Sequence, residues 1–195
     1  MEIVFATGNA HKVREVNEIA GSGLRFKSLA DIGCTEEIPE TADTLRGNAI
    51  QKANYVSRHY GVNCFAEDTG LEVAALDGAP GVHTARFAGP EKDPAANIAL
   101  LLRKLQGVAD RRANFRTVIA LNLDGTQHIF EGICEGTIAH QPAGDGGFGY
   151  DPIFIPDGMD GKTFAQLSKE EKNKISHRGK AVRQLFRFLE NRTKR

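Results

Sequence analysis

The stretch EIVFATGNAHKVREVNEIA, residues 2–20, decides how the fold begins. Its first five residues predict a short, mostly apolar strand. Gly8 then permits a tight turn, and Val13, Val16 and Ile19 recur at helical spacing on one face. A strand that passes directly into an amphipathic helix is typical of α/β domains.

Beyond this unit, apolar patterns and turn signals predict strands and helices in mixed order. The predicted strands cover 24–29, 63–66, 71–76, 115–123 and 127–134, and the predicted helices cover 43–60, 94–106 and a closing helix with Val182, Leu185, Phe186 and Leu189 inward. Asp93 before Pro94 is a strong helix start, and Asp124-Gly125 is a strong hairpin turn. This order predicts one α/β domain over residues 1–195, built around a mixed sheet.

Composition narrows the class of protein. The chain has 195 residues, 41% of them hydrophobic, with 25 basic and 25 acidic side chains. Its longest aliphatic run, 98–102, is far shorter than the ~18 residues of a membrane span, and no basic, signal-like segment opens the sequence. The three cysteines show no C-x-x-C spacing. We therefore expect a cytoplasmic protein without a membrane segment, and zero net charge disfavours nucleic acid as a ligand.

Residues 7–12, TGNAHK, predict a place for a phosphate group. A strand ends here, glycine permits a tight turn, and the helix that follows offers free backbone N–H groups beside Lys12. The motif matches neither the Walker pattern nor the G-x-G-x-x-G fingerprint. An ordinary strand–helix turn capped by Asn9 is therefore an equal alternative.

Residues 67–70, EDTG, place two carboxylates side by side between two predicted strands. Strand alternation sends neighbouring side chains to opposite faces, so only one would face a cleft. Such a carboxylate could hold a hard cation such as Mg²⁺ or take a proton from an attacking water. Glu40 could supply a further oxygen ligand. The alternative is a solvated turn.

Lys52 follows Asn48 by four residues, so both lie on one side of their helix, next to its apolar stripe. Lys52 could reach inward to a phosphate. The alternative is a side chain that extends to solvent.

Two segments late in the chain also suggest a ligand site. Residues 144–152 hold four glycines and two aromatic residues, so a planar ligand could stack on Phe148 while Asp151 accepts hydrogen bonds. Residues 172–180 concentrate four basic side chains and His177 at a helix start. The alternatives are a mobile surface loop and an exposed basic corner.

Taken in order, five motifs resemble one known family over essentially the whole chain. They are TGNAHK at 7–12, EDTGLEV at 67–73, GAPGVHTARFAG at 78–89, GGFGYDPIF at 146–154 and SHRGKA at 176–181. The sequence is similar to the inosine/xanthosine triphosphate pyrophosphatase family, the RdgB type, which clears deaminated purine nucleotides.

The resemblance implies hydrolysis of ITP, dITP or XTP between the α- and β-phosphates, giving the nucleoside monophosphate and pyrophosphate. It also implies Mg²⁺ as cofactor and a homodimer. The implied fold is α/β, an elongated mixed β-sheet flanked by helices, with two lobes and the active-site cleft between them.

The resemblance also implies residue roles. The catalytic residue would be Asp68, which with Glu40 would bind the metal, while Glu67 would support it. The substrate would be bound by Thr7, Gly8, Asn9, Ala10, His11, Lys12, Lys52, Thr69 and Lys172, with Phe148, Gly149, Tyr150 and Asp151 around the base and sugar and His177 and Arg178 at the purine 6-oxo edge. Gly47 stands where a glutamate is frequent in the family, which leaves Glu40 as the better second metal ligand.

Three alternatives stay open. One is a pyrophosphatase for pyrimidine or other modified nucleotides, which the residues at 148–151 and 177–178 disfavour. Another is a regulatory nucleotide-binding module, which would not need the carboxylates. The third is nucleic-acid binding through the basic residues Arg183, Arg187, Arg192, Lys194 and Arg195.

Overall fold

A computed structural model describes residues 1–20 and 24–193. Lys194 and Arg195, which the nucleic-acid alternative includes, lie outside the described residues. The strands are β1 Val4–Phe5, β2 Cys64–Val73, β3 Arg112–Leu123, β4 Thr126–Ile138 and β5 Phe154–Pro156, and the helices are α1 Ala10–Ala20, α2 Leu45–Tyr60, α3 Pro94–Lys104, α4 Lys169–Ile175 and α5 His177–Thr193.

The five strands form one mixed sheet in the order β1-β2-β3-β4-β5. Strand β1 pairs in parallel with β2, with Val4 opposite Cys64. The turn between β3 and β4 has positive φ at Asp124 (49°) and Gly125 (78°), as a two-residue hairpin requires. Strand β5 pairs antiparallel with β4. The predicted mixed α/β sheet with flanking helices is confirmed.

Three predicted strands differ from the structure. The run 24–29 is reduced to an isolated parallel bridge between Val4 and Lys27. The two runs around EDTG are instead one continuous strand, β2, so the solvated-turn alternative is wrong. The strand continues through Glu67 and Asp68 because both carboxylates are buried among partners.

The helix starts predicted from capping residues are found in the structure. Asp93 caps α3, accepting a hydrogen bond from the backbone N–H of Ala95 at 3.0 Å. Thr44 caps α2 in the same way, through the N–H of Gly47. Ser168 and Glu171 form the capping box that begins α4. None of the three cysteines is in a disulfide.

The chain divides into two compact units. Unit 1 comprises Met1–Asp68, Thr117–Gly132 and Arg178–Arg195, and unit 2 comprises Thr69–Arg116 and Ile133–His177. The core of unit 1 includes Phe65, Ile119, Leu121 and the four inward residues predicted for the closing helix. The core of unit 2 is built around Leu101, Phe115, Phe154 and Phe164. The prediction of one domain over residues 1–195 stays a prediction, as does the cleft between two lobes.

Across the described parts of the chain, 1–20 and 24–193, no helix is both long and apolar enough to cross a membrane.

Candidate active site

The turn before α1 is capped by its own side chains. Asn9 Oδ1 accepts from the backbone N–H of His11 at 3.0 Å, and Thr7 Oγ1 accepts from that of Asn9 at 3.1 Å. This is the cap geometry of the ordinary strand–helix turn. A Cβ placed on Gly8 would meet nothing within 4 Å, so the turn is open on that side. Its predicted role with phosphate stays a prediction.

Glu67, on β2, is the centre of a buried ion-pair cluster in unit 1. Its carboxylate lies 2.6 Å from Lys12 Nζ and accepts from Arg178 Nε at 2.9 Å. A second bond joins Arg178 to Glu15. Burial alone would raise the pKa of Glu67. The positive charges of Arg178 and Lys12 lower this pKa by a larger amount, so it lies well below the usual range. Glu67 is therefore a permanent anion that holds two cations.

Arg178 is almost completely buried at the start of α5. Burial lowers its pKa, but Glu67 and Glu15 outweigh that effect and raise the pKa above its ordinary value. The exposed basic corner considered for this segment is therefore wrong at this position. The predicted contact of Arg178 with a purine edge stays a prediction.

Asp68 is 9% exposed and lies in a different environment from its neighbour. Burial raises its pKa, Lys52 and Lys12 lower it, and Glu40 raises it again, with a net shift upward. Asn48 Nδ2 donates to Asp68 Oδ2 at 3.1 Å. A carboxylate whose pKa is raised in this way is suited to accept a proton.

Lys52 points inward from α2 and is 5% exposed. Its Nζ donates to Glu40 Oε1 and to the backbone carbonyl of Glu67, both at 2.6 Å. The alternative in which Lys52 extends to solvent is therefore wrong. The ammonium lies between a loop carboxylate and strand β2.

Among the residues that the structure describes, no group of three or more His, Cys, Asp or Glu side chains is arranged to hold a metal ion. Glu40 and Asp68 both carry hard carboxylate oxygens, and the charge of Glu40 is one of the causes that raise the pKa of Asp68. Mg²⁺ is often held by one or two carboxylates, with waters and substrate phosphates completing the shell. The pair therefore fits such an ion.

In unit 2, Asp151 of the glycine-rich loop 144–152 forms a buried ion pair with Lys172. Lys172 Nζ donates to Asp151 Oδ2 at 2.8 Å, and the same oxygen accepts from the backbone N–H of Phe148 at 3.0 Å. A Cβ on Gly147 would lie 2.1 Å from that oxygen, and its φ is 67°, so only glycine fits. Lys172 Nζ also lies 4.8 Å from the Phe148 ring centroid. The loop is thus shaped around one carboxylate.

His177, the last residue of unit 2, packs against aromatic rings. Its ring stacks on Phe115 with centroids 4.6 Å apart, and Phe164 lies near both His177 and Lys172. Tyr150 is buried and donates to the carbonyl of Thr84 at 2.6 Å, and burial raises its pKa. Thr69 is half-buried at the start of unit 2.

Several of these contacts were missed from the sequence. Glu15 follows Lys12 by three residues on α1, a spacing at which side chains meet, so it could have been found. Phe115 and Phe164 resemble ordinary core residues in the sequence, and nothing in their patterns marks them as neighbours of His177. Each of the predicted residues nevertheless falls into one of the two units described above.

A strand that passes through a glycine turn into a helix N-terminus is a recurrent feature of α/β proteins that bind phosphate groups, and β1, Gly8 and α1 are arranged in this way. The sequence profile of the Ham1 family matches residues 3–188. The chain belongs to this family.

Relatives and a solved structure agree with this assignment. The chain is 53% identical to a dITP/XTP pyrophosphatase of Christiangramia forsetii over 97% of its own length and 99% of the relative's. It is 54% identical to one of Porphyromonas gingivalis, over 96% and 97% of the two chains. The solved Ham1 protein of Staphylococcus aureus superposes with a TM-score of 0.90 at 40% identity, covering 98% of this chain and all of the other. The resemblance stated from the motifs is confirmed.

Proposed function

We propose that this protein is a nucleoside triphosphate pyrophosphatase that hydrolyses dITP, XTP and ITP to the nucleoside monophosphate and pyrophosphate. The observation that carries the proposal is Asp68, a buried carboxylate of raised pKa beside Lys52 and Glu40. The names of its relatives supply the substrate class, since those proteins are called dITP/XTP pyrophosphatases.

Asp68 is the proposed catalytic residue. Its carboxylate accepts the proton of the water that attacks the α-phosphorus, and the pyrophosphate leaves. Burial favours this role because it raises the pKa of Asp68 toward neutral pH. Asn48 holds the carboxylate by donating to Oδ2. Glu67 cannot take the same role, because two cations keep its carboxylate ionised and occupied.

Lys12 and Lys52 are the proposed phosphate ligands of unit 1, together with Thr7, Gly8, Asn9, Ala10 and His11. Each ammonium is already held by a carboxylate, Lys12 by Glu67 and Lys52 by Glu40. The carboxylates limit where each ammonium lies, so the positive charges are positioned before the triphosphate arrives.

Mg²⁺ is the proposed cofactor, held by Glu40 and Asp68. When bound, a divalent cation at this pair neutralises phosphate charge and stabilises the leaving pyrophosphate.

Lys172 is proposed to add positive charge beside the triphosphate, and Thr69 to contact the substrate. The proposed pocket for the base and sugar is formed by Phe148, Gly149, Tyr150 and Asp151, and His177 and Arg178 are proposed to recognise the purine 6-oxo edge. Donors that face a 6-oxo group would meet the amine of an adenine nucleotide with unpaired hydrogens. A site built to hydrogen-bond one group can reject an analogue without it by several powers of ten. Discrimination against ATP follows from that mismatch.

We also propose a homodimer in the cytoplasm, without nucleic acid as a partner. The family resemblance supports the dimer, and the equal numbers of basic and acidic residues disfavour binding to nucleic acid. Light scattering on the purified protein should give twice the mass of one chain. A monomer at all concentrations tested would remove the dimer from the proposal.

The deciding experiment is pyrophosphate release with Mg²⁺ from dITP, XTP, ITP, ATP, GTP and UTP in parallel. Wild-type protein should cleave the first three, and Asp68→Asn should lose at least about a hundredfold in kcat, since a positioned base contributes 10²–10⁴-fold. Asp110→Asn, at an exposed carboxylate paired with Arg112, is the matched control and should keep normal activity.

Two outcomes would count against the proposal. Preference for UTP would favour the pyrimidine-directed alternative, and nucleotide binding without cleavage would favour the regulatory module. Normal turnover by folded Asp68→Asn would remove Asp68 from the chemistry.

A further inference from the structure

One face of α2 holds the loop that carries Glu40. Gln51 is bonded twice to Thr41: its Oε1 accepts from the Thr41 N–H and its Nε2 donates to Thr41 Oγ1, both at 2.8 Å. Lys52, the next residue, binds Glu40 itself. Asn48 precedes them by three and four residues, so the three side chains share one side of the helix.

Asn48 is the member of this face that also reaches β2. Its Oδ1 accepts from the backbone N–H of Ala42 at 2.9 Å, while its Nδ2 donates to Asp68 Oδ2 at 3.1 Å. A carboxamide carries an acceptor and a donor on one rigid group, whereas a carboxylate could not donate to Asp68. The side chain is 2% exposed, so water does not easily replace either bond.

The two segments joined in this way carry the two carboxylates of the proposed metal site. Asp68 is on strand β2, whereas Glu40 lies on a loop outside any helix or strand. Mg²⁺ requires nearly ideal octahedral geometry, so two ligands on separate segments must be held in place.

We propose that Asn48 is a positioning residue that fixes the Glu40 loop relative to Asp68, and so prepares the two carboxylates for a divalent cation. The inference rests on the proposed function, because it assigns that cation to the same pair. Asn48 acts through Asp68 and Ala42 and touches neither the nucleotide nor the water. Partners in this position typically contribute 10- to 100-fold to metal affinity.

The test is a titration of the metal-free protein with Mn²⁺, followed by electron paramagnetic resonance of the free ion. Asn48→Ala should weaken Mn²⁺ binding by about 10- to 100-fold, and Gln51→Ala, which loosens the same loop without touching Asp68, should weaken it less. Asn54→Ala is the matched control, because Asn54 lies on α2 but contacts Asn122 and Gln127 instead. It should bind Mn²⁺ as the wild type does.

Activity supplies the second readout. The Mg²⁺ concentration for half-maximal pyrophosphate release should rise in Asn48→Ala by the same factor as the Mn²⁺ dissociation constant, with little change in the KM for dITP at saturating Mg²⁺. A general loss of folding would change far-UV circular dichroism as well. If Asn48→Ala fails to fold, Asn48→Ser, a smaller polar replacement at the same position, carries the test.

The outcomes separate the two proposals. Mn²⁺ binding by wild type without dITP or XTP cleavage would overturn the proposed function while the variants still decide the role of Asn48. Wild-type Mn²⁺ affinity in folded Asn48→Ala, or in Asn48→Ser should the first variant not fold, would overturn the positioning role. So would the absence of Mn²⁺ binding by the wild type.

Discussion

At the residue scale, Glu67 is the side chain on which two buried cations depend. Glu67→Gln would leave Lys12 and Arg178 without their shared carboxylate, while the bond between Arg178 and Glu15 would stay. Removing one member of a buried ion pair typically costs 3–5 kcal/mol, because the other charge stays buried. We expect the free energy of unfolding in urea at pH 7 to fall by about that amount.

The control for this prediction is Glu2→Gln. Glu2 pairs with Lys27 at 2.9 Å, but both side chains are exposed, and exposed pairs add little to stability. Its unfolding midpoint should equal that of the wild type. A Glu67→Gln protein as stable as Glu2→Gln would show that the buried cluster does not stabilise the fold.

At this scale the sequence could predict which residues belong to the candidate site, but not which side chains pair with each other. Lys12, Lys52, Glu40 and Asp68 stand out because lysines and carboxylates near glycine turns suit phosphate and metal. Glu67 and Arg178 are 111 positions apart, and no local pattern links them. The sequence therefore does not show whether Glu67 or its neighbour Asp68 forms the ion pairs with Lys12 and Arg178, and only the folded structure does.

At the scale of elements, prediction succeeded where a local signal dominates. Helix α3 begins at Pro94 after its Asp93 cap, as expected. The sequence predicts two strands in place of β2, because adjacent Glu and Asp side chains favour a turn unless they have buried partners. The run 24–29 has apolar alternation, yet only Lys27 of this run bridges to β1. Strand pairing depends on distant segments, which alternation alone does not reveal.

A pH prediction belongs to the contact between the loop 33–44 and α2. Tyr60 Oη donates to Glu36 at 2.6 Å, and this bond is the largest of several contacts that lower the pKa of that carboxyl to about 2, from an ordinary value of 4.5. Because the folded pKa is the lower one, the contribution to stability is present above pH 4.5 and is lost as pH falls toward 2. Tyr60→Phe should therefore be less stable than wild type at pH 6, with the difference shrinking below pH 4.5.

Guanidinium unfolding of both proteins between pH 6 and pH 3 checks this prediction. Asn54→Ala is a suitable control, since Asn54 lies on the same helix, bonds Asn122 and Gln127 and does not titrate. Its stability difference from wild type should not show the same decrease in that range. A Tyr60→Phe difference that stays constant down to pH 3 would mean that Tyr60 does not lower the pKa of Glu36 in the folded protein.

At the scale of the whole molecule, the α/β class could be predicted because strand and helix signals alternate along the chain. No local sequence pattern predicts the division into two units, because it cuts through single strands. Asp68 and Thr69 are neighbours on β2 but belong to different units, as do Arg116 and Thr117 on β3 and Gly132 and Ile133 on β4. A sequence pattern has no signal at such a boundary, since the strand itself is continuous.

These continuous strands predict that the two units unfold together. Three strands contribute residues to both units, so unfolding one unit would remove strand structure that the other uses, and a single cooperative transition is expected. The chain has three tyrosines and no tryptophan, so tyrosine fluorescence can report each unit separately. Tyr150→Phe leaves Tyr55 and Tyr60 in unit 1, while the Tyr55→Phe, Tyr60→Phe double variant leaves Tyr150 in unit 2. In each variant, fluorescence and far-UV circular dichroism should give the same urea midpoint. A two-step circular dichroism curve, with fluorescence following only one step, would show that the units unfold independently.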